Sequence, residues 1–415
     1  MDRIADGRNR PRGMIAVRNE TSIMLPELDR YGVVRQLDDD AVGALTKTGL
    51  VELRPEGNRR WRIVPAGKVG AVRVADLDVQ VHPKVGIARL LFLLGYALDP
   101  GFRADDISAR PEPDLWPALA EALIRQAERA LAPGVLQGYV TVDEALPLVR
   151  GRIRFGDQAA RRPGSLLPVE IRYDEYATDI AENRILRTAL RGMMAVPRLS
   201  AAVRGRLAHL DARLDGVHVL PQGAQIPTWH PSRLNARYTP ALRLAELILR
   251  HQSTEPGTDG VTMASFVVNM AKVFEDFVTT SLREALAPYP GYTHSQYQTH
   301  LDVNRTIPIR PDVVHVVNGR PVAVFDAKYK LESGDSGYPN ADAYQMLAYC
   351  TALNVRTGWL VYAQGASPPG RRRISNSQIE VVHHPLDLTV EPSKLLAHID
   401  ALAGSALGKL AAQDR

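Results

Sequence analysis

Residues 310–330, RPDVVHVVNGRPVAVFDAKYK, constrain the fold more than any other stretch. Two apolar runs of strand length flank Asn318-Gly319, the strongest short-range hairpin signal a sequence carries. Val322 to Phe325 is as apolar as a sheet interior, yet it runs straight into Asp326 and Lys328. Either the strand has reached water there or the charges serve chemistry. The turn decides the face each charge takes. With a two-residue loop, Asp312 opposes Phe325 and points away from Asp326, because opposed residues share a face and faces alternate along a strand. With a three-residue loop, Val317 to Gly319, Asp312 opposes Val324 and shares a face with Asp326 and Lys328; a bulge has the same effect. The odd loop or its equivalent bulge is the expected arrangement.

In that register two carboxylates and an ammonium converge at one end of a hairpin, since residues two apart on a strand project the same way. Such a set suits phosphodiester hydrolysis with a hard divalent cation. Asp312 and Asp326 would hold Mg²⁺, the main-chain carbonyl of Ala327 would add an oxygen, and Lys328 would orient water or stabilise developing charge. A solvated hairpin end with an Asp/Lys pair worth a fraction of a kcal/mol is the plain alternative. The order of the surrounding elements argues against it. Residues 264–287 place Phe266, Met270, Val273, Phe274, Phe277 and Val278 on one stripe, which predicts a long helix with Glu275 at its flank. Residues 340–353 predict a helix carrying Gln345 and Tyr349 one turn apart on one face. Asp326-Ala327-Lys328 is the only Asp/Glu-x-Lys triplet in the chain.

At 415 residues two or three domains are expected, and 45% hydrophobic with 23% charged residues is globular composition. A net charge of +5 permits an anionic partner such as nucleic acid without requiring one. One cysteine, Cys350, excludes an internal disulfide framework and a multi-cysteine zinc site. The N-terminus lacks an apolar targeting core, and residues 88–98 are too short to span a bilayer, so a cytoplasmic protein with no membrane contact is expected. The nearest approach to a phosphate-binding loop, PAGKVG, lacks the first glycine and the hydroxyl after the lysine, so nucleotide-driven work falls to a partner.

Three parts are expected: a β-rich module over 1–105, a mainly helical region over 106–252 and a C-terminal domain over 253–415. Residues 14–87 alternate short apolar runs with turn residues, and helices are predicted at 88–98 and 114–131. Asp179 with Glu182 three residues on forms the signature of a capping box. The Gly-, Pro-, Ser- and Thr-rich residues 253–262 mark the domain boundary. Arginines at 150, 152, 154, 161 and 162, and the run Arg371–Arg373 in a turn, are solvated basic surface or phosphate contacts. Residues 356–365 and 379–388 read as further strands, and 392–412 as a closing amphipathic helix.

The order of Glu275, Pro311-Asp312, Asp326-Ala327-Lys328 and Gln345-Met346-Leu347-Ala348-Tyr349 resembles the PD-(D/E)xK nuclease superfamily, in its branch with a Q-x-x-x-Y motif. That resemblance implies an α+β multidomain protein whose C-terminal mixed sheet is flanked by helices, and Mg²⁺-dependent DNA cleavage. It implies Asp312 and Asp326 as metal ligands, Lys328 as catalytic lysine, Gln345 and Tyr349 as further site residues, and Glu275 as accessory acid, with Asp276 as the alternative. Upstream, VQVHPKVGIARLLFLLGYAL, VRGRIRF and YDEYATDIAENRILRTAL, followed by FEDF, resemble the McrC family over about residues 20–365, the nuclease subunit of McrBC-type restriction systems. Membership implies an anti-phage endonuclease subunit. Its first two parts bind a McrB-like AAA+ GTPase hexamer that reads modified double-stranded DNA, and it stimulates that GTPase. A stand-alone repair nuclease, or an adaptor that activates an NTPase without cutting, would be the competing functions.

Overall fold

The computed structural model describes residues 22–74, 77–103, 114–196, 198–256, 262–329, 340–363 and 370–408. The chain opens with β1 (Ser22–Pro26), β2 (Val33–Gln36), helix α1 (Asp39–Thr48), β3 (Val51–Gly57), β4 (Arg60–Pro65), β5 (Lys68–Val74) and β6 (Leu77–His82). Helix α1 stands where only strands are expected: the Asp38 side chain accepts from the Ala41 N–H at 2.7 Å, and left-handed Gly49 closes the helix. Helices α2 (Ile87–Leu98) and α3 (Leu115–Leu131) follow their predicted apolar spacing.

The central region is less helical than expected. Between α3 and α5 lie β7 (Gly138–Leu146), β8 (Arg152–Ile153), α4 (Phe155–Arg161) and β9 (Val169–Ala177), the strands forming a sheet in the order β7-β9-β8. Helices α5 (Ala181–Met194), α6 (Ala201–Arg213) and α7 (Thr239–His251) complete it. The capping box does not form. The Asp179 carboxylate is taken by Arg184 Nε at 2.8 Å and by His218, while Glu182 accepts from Asn235 Nδ2 at 2.9 Å. Donors from Arg184, the His218 backbone and Asn235 have taken the place of the helix's own first-turn amides.

The boundary expected after residue 252 falls inside a sheet. Strands β10 (Gln252–Pro256) and β11 (Thr262–Asn269) add to the N-terminal strands in the order β1-β6-β5-β11-β10. The helix expected from residue 264 therefore begins only at α8 (Met270–Leu286), capped by Asn269, whose Oδ1 accepts from the Ala271 N–H at 2.9 Å. In β11, Ala264, Phe266 and Val268 are buried, and the aromatic and β-branched run packs as a strand. Close approach of β11 to β5 depends on Gly70, with φ +140°: a Cβ there would lie 1.9 Å from the Phe266 carbonyl oxygen.

The remaining elements are β12 (Tyr292–Ser295), β13 (Thr299–His300), β14 (Pro308–Ile309), β15 (Val313–Val317), β16 (Arg320–Lys328), α9 (Asn340–Leu353), β17 (Thr357–Tyr362), β18 (Gly370–Arg373), β19 (Glu380–Pro385) and α10 (Pro392–Leu407). They form a mixed sheet in the order β12-β15-β16-β17-β19-β18, with β16, β17 and β19 mutually parallel. Arg371, Arg372 and Arg373 lie on its edge strand β18 rather than in a turn. Charged side chains on an edge discourage pairing with other chains. Val313, Phe325, Trp359 and Val382 pack into one apolar core with Phe274 and Phe277 of α8 and Leu395 and Ile399 of α10. That core continues without a break into the N-terminal sheet and the central helices, while the opposite sheet face, Val314, Val324 and Leu360, packs on Met346 and Cys350 of α9. Among the described residues no helix is long and apolar enough to cross a membrane.

If β11 is integral to the N-terminal sheet, Gly70→Ala destabilises the chain by more than about 3 kcal/mol. Gly319→Ala, at φ +75° in open space, costs only about 1 kcal/mol. Urea denaturation of both variants checks this, and equal tolerance of the two would contradict it.

Candidate active site

Asn318 and Gly319 both have positive φ, 50° and 75°, and form a two-residue turn with Val317 opposite Arg320. The three-residue loop is therefore not what the chain uses. Instead the register shifts between His315 and Val316: His315 faces Ala323 while Val316 faces Pro321, so Val322 is the extra residue of a bulge. Pro321 has no N–H for the ladder, which makes this the natural place for one. Beyond the bulge Val313 opposes Phe325, so the next pair outward is Asp312 and Asp326. The shared face demanded by the sequence is achieved by the bulge.

Asp312 and Asp326 lie on the α9 side of the sheet at the ends of β15 and β16. The Asp312 Oδ2 accepts from the Ala327 N–H at 2.9 Å, and its Oδ1 accepts from Gln296 Nε2 at 3.0 Å. Asp326 is only 2% exposed. Lys328 Nζ forms an ion pair with the buried Asp326 Oδ2 at 2.5 Å. Burial first, and then repulsion from Asp312, push the Asp326 carboxyl up to about 7 against the pull of Lys328.

Helix α9 supplies the second half of the site. Lys328 Nζ donates to Gln345 Oε1 at 2.8 Å, and Gln345 Nε2 donates to the Tyr349 hydroxyl at 2.7 Å. Burial, then the two aspartates, push the Tyr349 phenol up to about 12, so it keeps its proton. That hydroxyl lies 3.4 Å from the Arg310 carbonyl oxygen. Gln345 thus holds the lysine from behind while leaving its charge aimed at Asp326.

Glu275 comes from α8, on the other side of the sheet, and reaches Asp312 through an intermediary. Gln296 Nε2 donates to both Glu275 Oε1, at 2.8 Å, and Asp312 Oδ1. Arg310 Nε holds the far end of Gln296, at 2.5 Å from its Oε1. The Glu275 side chain is 26% exposed against 46% for Asp276, which contacts only Lys272, so Glu275 is the inward residue of the pair. Gln296 and Arg310 are site residues that sequence reading misses. Gln296 lies in an irregular loop with φ +52°, and no spacing rule points to it.

The donor set fits a hard cation in part. Two carboxyl groups lie side by side, Asp312 held by the Ala327 N–H and Gln296 and the buried Asp326 oxygen paired with Lys328. Among the described residues no group of three or more His, Cys, Asp or Glu side chains forms a closed metal cage. An ion here must complete its shell with main-chain, water or substrate oxygens, as Mg²⁺ does.

A solved structure shares this fold. A chain of the refined half-complex from the tetradecameric assembly of Thermococcus gammatolerans McrB AAA+ hexamers with bound McrC matches with TM-score 0.60 and 18% identity, covering 94% of this chain and all of that one. The T. gammatolerans McrBC complex seen by cryo-EM matches at TM-score 0.40 and 20% identity over 65% of this chain and 90% of that one. Protein VC1899 of Vibrio cholerae matches at 0.26 and 12%, over 43% and 46%. No curated protein matches the sequence. The class is therefore a mixed α/β protein of the architecture found in that McrB–McrC half-complex. Residues 64–363 match the family described as McrBC 5-methylcytosine restriction system component, and the chain belongs to that family.

The Asp326 carboxyl generates a stability test. Free aspartate titrates near 3.9, so as pH rises towards 7 the unfolded chain gives up a proton that the native chain, without a cation, retains. Native stability relative to Asp326→Asn therefore falls as pH rises from 4 to 7, by at most about 1.4 kcal/mol per unit. Urea melts of the two proteins in EDTA are expected to diverge in that direction; an advantage of the parent that grows with pH would contradict it.

Proposed function

We propose that this chain is the Mg²⁺-dependent endonuclease subunit of a McrBC-type modification-dependent restriction complex, with a PD-(D/E)xK site. The observation that carries the reading is the convergence of Asp312, Asp326 and Lys328 on one sheet face, backed by Gln345 and Tyr349. Asp312, Asp326 and the Ala327 carbonyl would hold the ion. When bound, it supplies Lewis-acid polarisation of the phosphodiester and a more acidic water.

The protein's own residues do the rest. Lys328, held by Gln345, presents its ammonium to the charge that develops on the phosphate. Tyr349, protonated, fixes Gln345. Glu275 acts as the accessory acid through Gln296, which locks the orientation of Asp312. The exposed Arg371–Arg373 edge strand, in which Arg371 pairs with Glu380 at 2.9 Å, would add positive charge alongside a DNA backbone.

The family and the shared fold support a McrB-like AAA+ GTPase hexamer as partner, since the matched assembly contains McrB hexamers with bound McrC. In this reading the partner reads modified double-stranded DNA, the N-terminal and central parts of this chain engage the partner and stimulate GTP hydrolysis, and the complex works in the cytoplasm.

The test is cleavage of methylated and unmethylated plasmid with and without the cognate AAA+ subunit, GTP and Mg²⁺. Methylated plasmid is expected to be cut only in the complete mixture. Asp326→Ala is expected to lower the rate by at least about a hundredfold while GTP hydrolysis stays stimulated. Cleavage that survives Asp326→Ala would remove the site assignment, and GTP hydrolysis indifferent to this chain would remove the partner role.

A further inference from the structure

Strand β16 alternates. Asp326 and Lys328 face α9, while Ala327 and Tyr329 face the opposite layer and pack against the main core. Tyr329, immediately after the catalytic lysine, extends its ring to Phe274 of α8, with centroids 6.0 Å apart. Its hydroxyl donates to Glu27 Oε2 at 3.0 Å. Glu27 lies 302 residues earlier in the chain, just past the end of β1.

Glu27 is held as firmly as Tyr329. The residue is 8% exposed. Its amide donates to the His82 carbonyl at 3.0 Å, and its Oε2 also accepts from the Lys84 N–H at 3.1 Å, so the carboxylate is pinned to the outlet of the β1–β6 pair. A buried carboxylate with two donors on one oxygen is a demanding arrangement that an incidental contact does not need. On the catalytic side the Lys328 carbonyl accepts from the Ala363 N–H at 3.2 Å, which fixes one flank of the strand end. Before Val313, where β15 begins, the other flank is held among the described residues by the Asp312 carboxylate on the Ala327 N–H. Tyr329 is thus a main anchor of the backbone that carries Lys328.

We infer that Glu27 and Tyr329 form a clasp by which the N-terminal module positions Lys328 for the reaction, making Tyr329 a positioning residue for the catalytic lysine. The inference rests on the nuclease reading for its catalytic consequence, and on geometry alone for the mechanical link. The module expected to meet the AAA+ partner is then tied directly to the strand that does the chemistry. A shift of β1 against β6 moves an anchor at the end of β16, and a small displacement of a positioned group is enough to change a rate.

The experiment uses the full chain with its AAA+ partner, GTP, Mg²⁺ and methylated plasmid, far below the melting temperature. Tyr329→Phe keeps the ring and loses the hydroxyl. It is expected to slow single-turnover cleavage about three- to tenfold with DNA affinity unchanged. Glu27→Ala is expected to do the same, Glu27→Gln, which keeps an acceptor, to restore most of the rate, and the Tyr329→Phe/Glu27→Ala pair to be no slower than either alone. Hydrogen exchange of the chain by itself reads the link without cleavage: Tyr329→Phe is expected to speed exchange both at Lys84 and at residues 327–329. Parent-like cleavage in Tyr329→Phe, or exchange that changes on one side only, overturns the clasp. If the parent protein fails to cut, the nuclease reading falls, and the exchange result alone decides whether the link exists.

Discussion

Two carboxyl groups held side by side on one sheet face are the constraint around which the rest of the C-terminal domain is arranged. Asp312 and Asp326 are neighbours because a bulge at Val322 adds one residue to β16. Without that residue Asp312 would oppose Phe325 and turn into the main core. With it, burial and the neighbouring Asp312 charge raise the Asp326 carboxyl, while the Ala327 N–H and Gln296 hold the Asp312 carboxylate in place. Lys328 softens the repulsion but does not cancel it. In the proposed reading, a divalent ion between the two carboxyl groups would relieve that repulsion.

The layers give the site a rigid base. One face of the mixed sheet belongs to α9, which brings Gln345 and Tyr349 to the lysine; the other joins a core that runs through α8 into the N-terminal sheet. The β10–β11 pair stitches these parts together, and Gly70 permits the contact. The N-terminal module and the C-terminal part are therefore not beads on a string. Motion imposed on one reaches the other through packed core and through the Glu27–Tyr329 contact.

Much of the site is legible in the sequence because its signals are local. Asn318-Gly319 marks the hairpin, the two-residue spacing of Asp326 and Lys328 sets their common face, and the four-residue spacing of Gln345 and Tyr349 sets theirs. What is not legible depends on partners distant in the chain. The run Ala264 to Val268 suits a helix or a strand, and only the open groove beside Gly70 decides for the strand. Asp179 and Glu182 carry a capping signature, but Arg184, His218 and Asn235 compete for their oxygens and win. Gln296 joins Glu275 to Asp312 from a loop without periodicity, so nothing in its neighbourhood announces it. The bulge itself follows from Pro321, a residue that cannot donate to the ladder opposite Val316.

The central claim is that Asp312 and Asp326 together form a cation site. Isothermal titration of Mn²⁺ into the chain at pH 8 measures this without nucleic acid, nucleotide or partner. One site is predicted, weakened by at least about tenfold in Asp312→Asn and in Asp326→Asn alike. Mn²⁺ binding that is unchanged in both variants would contradict the account.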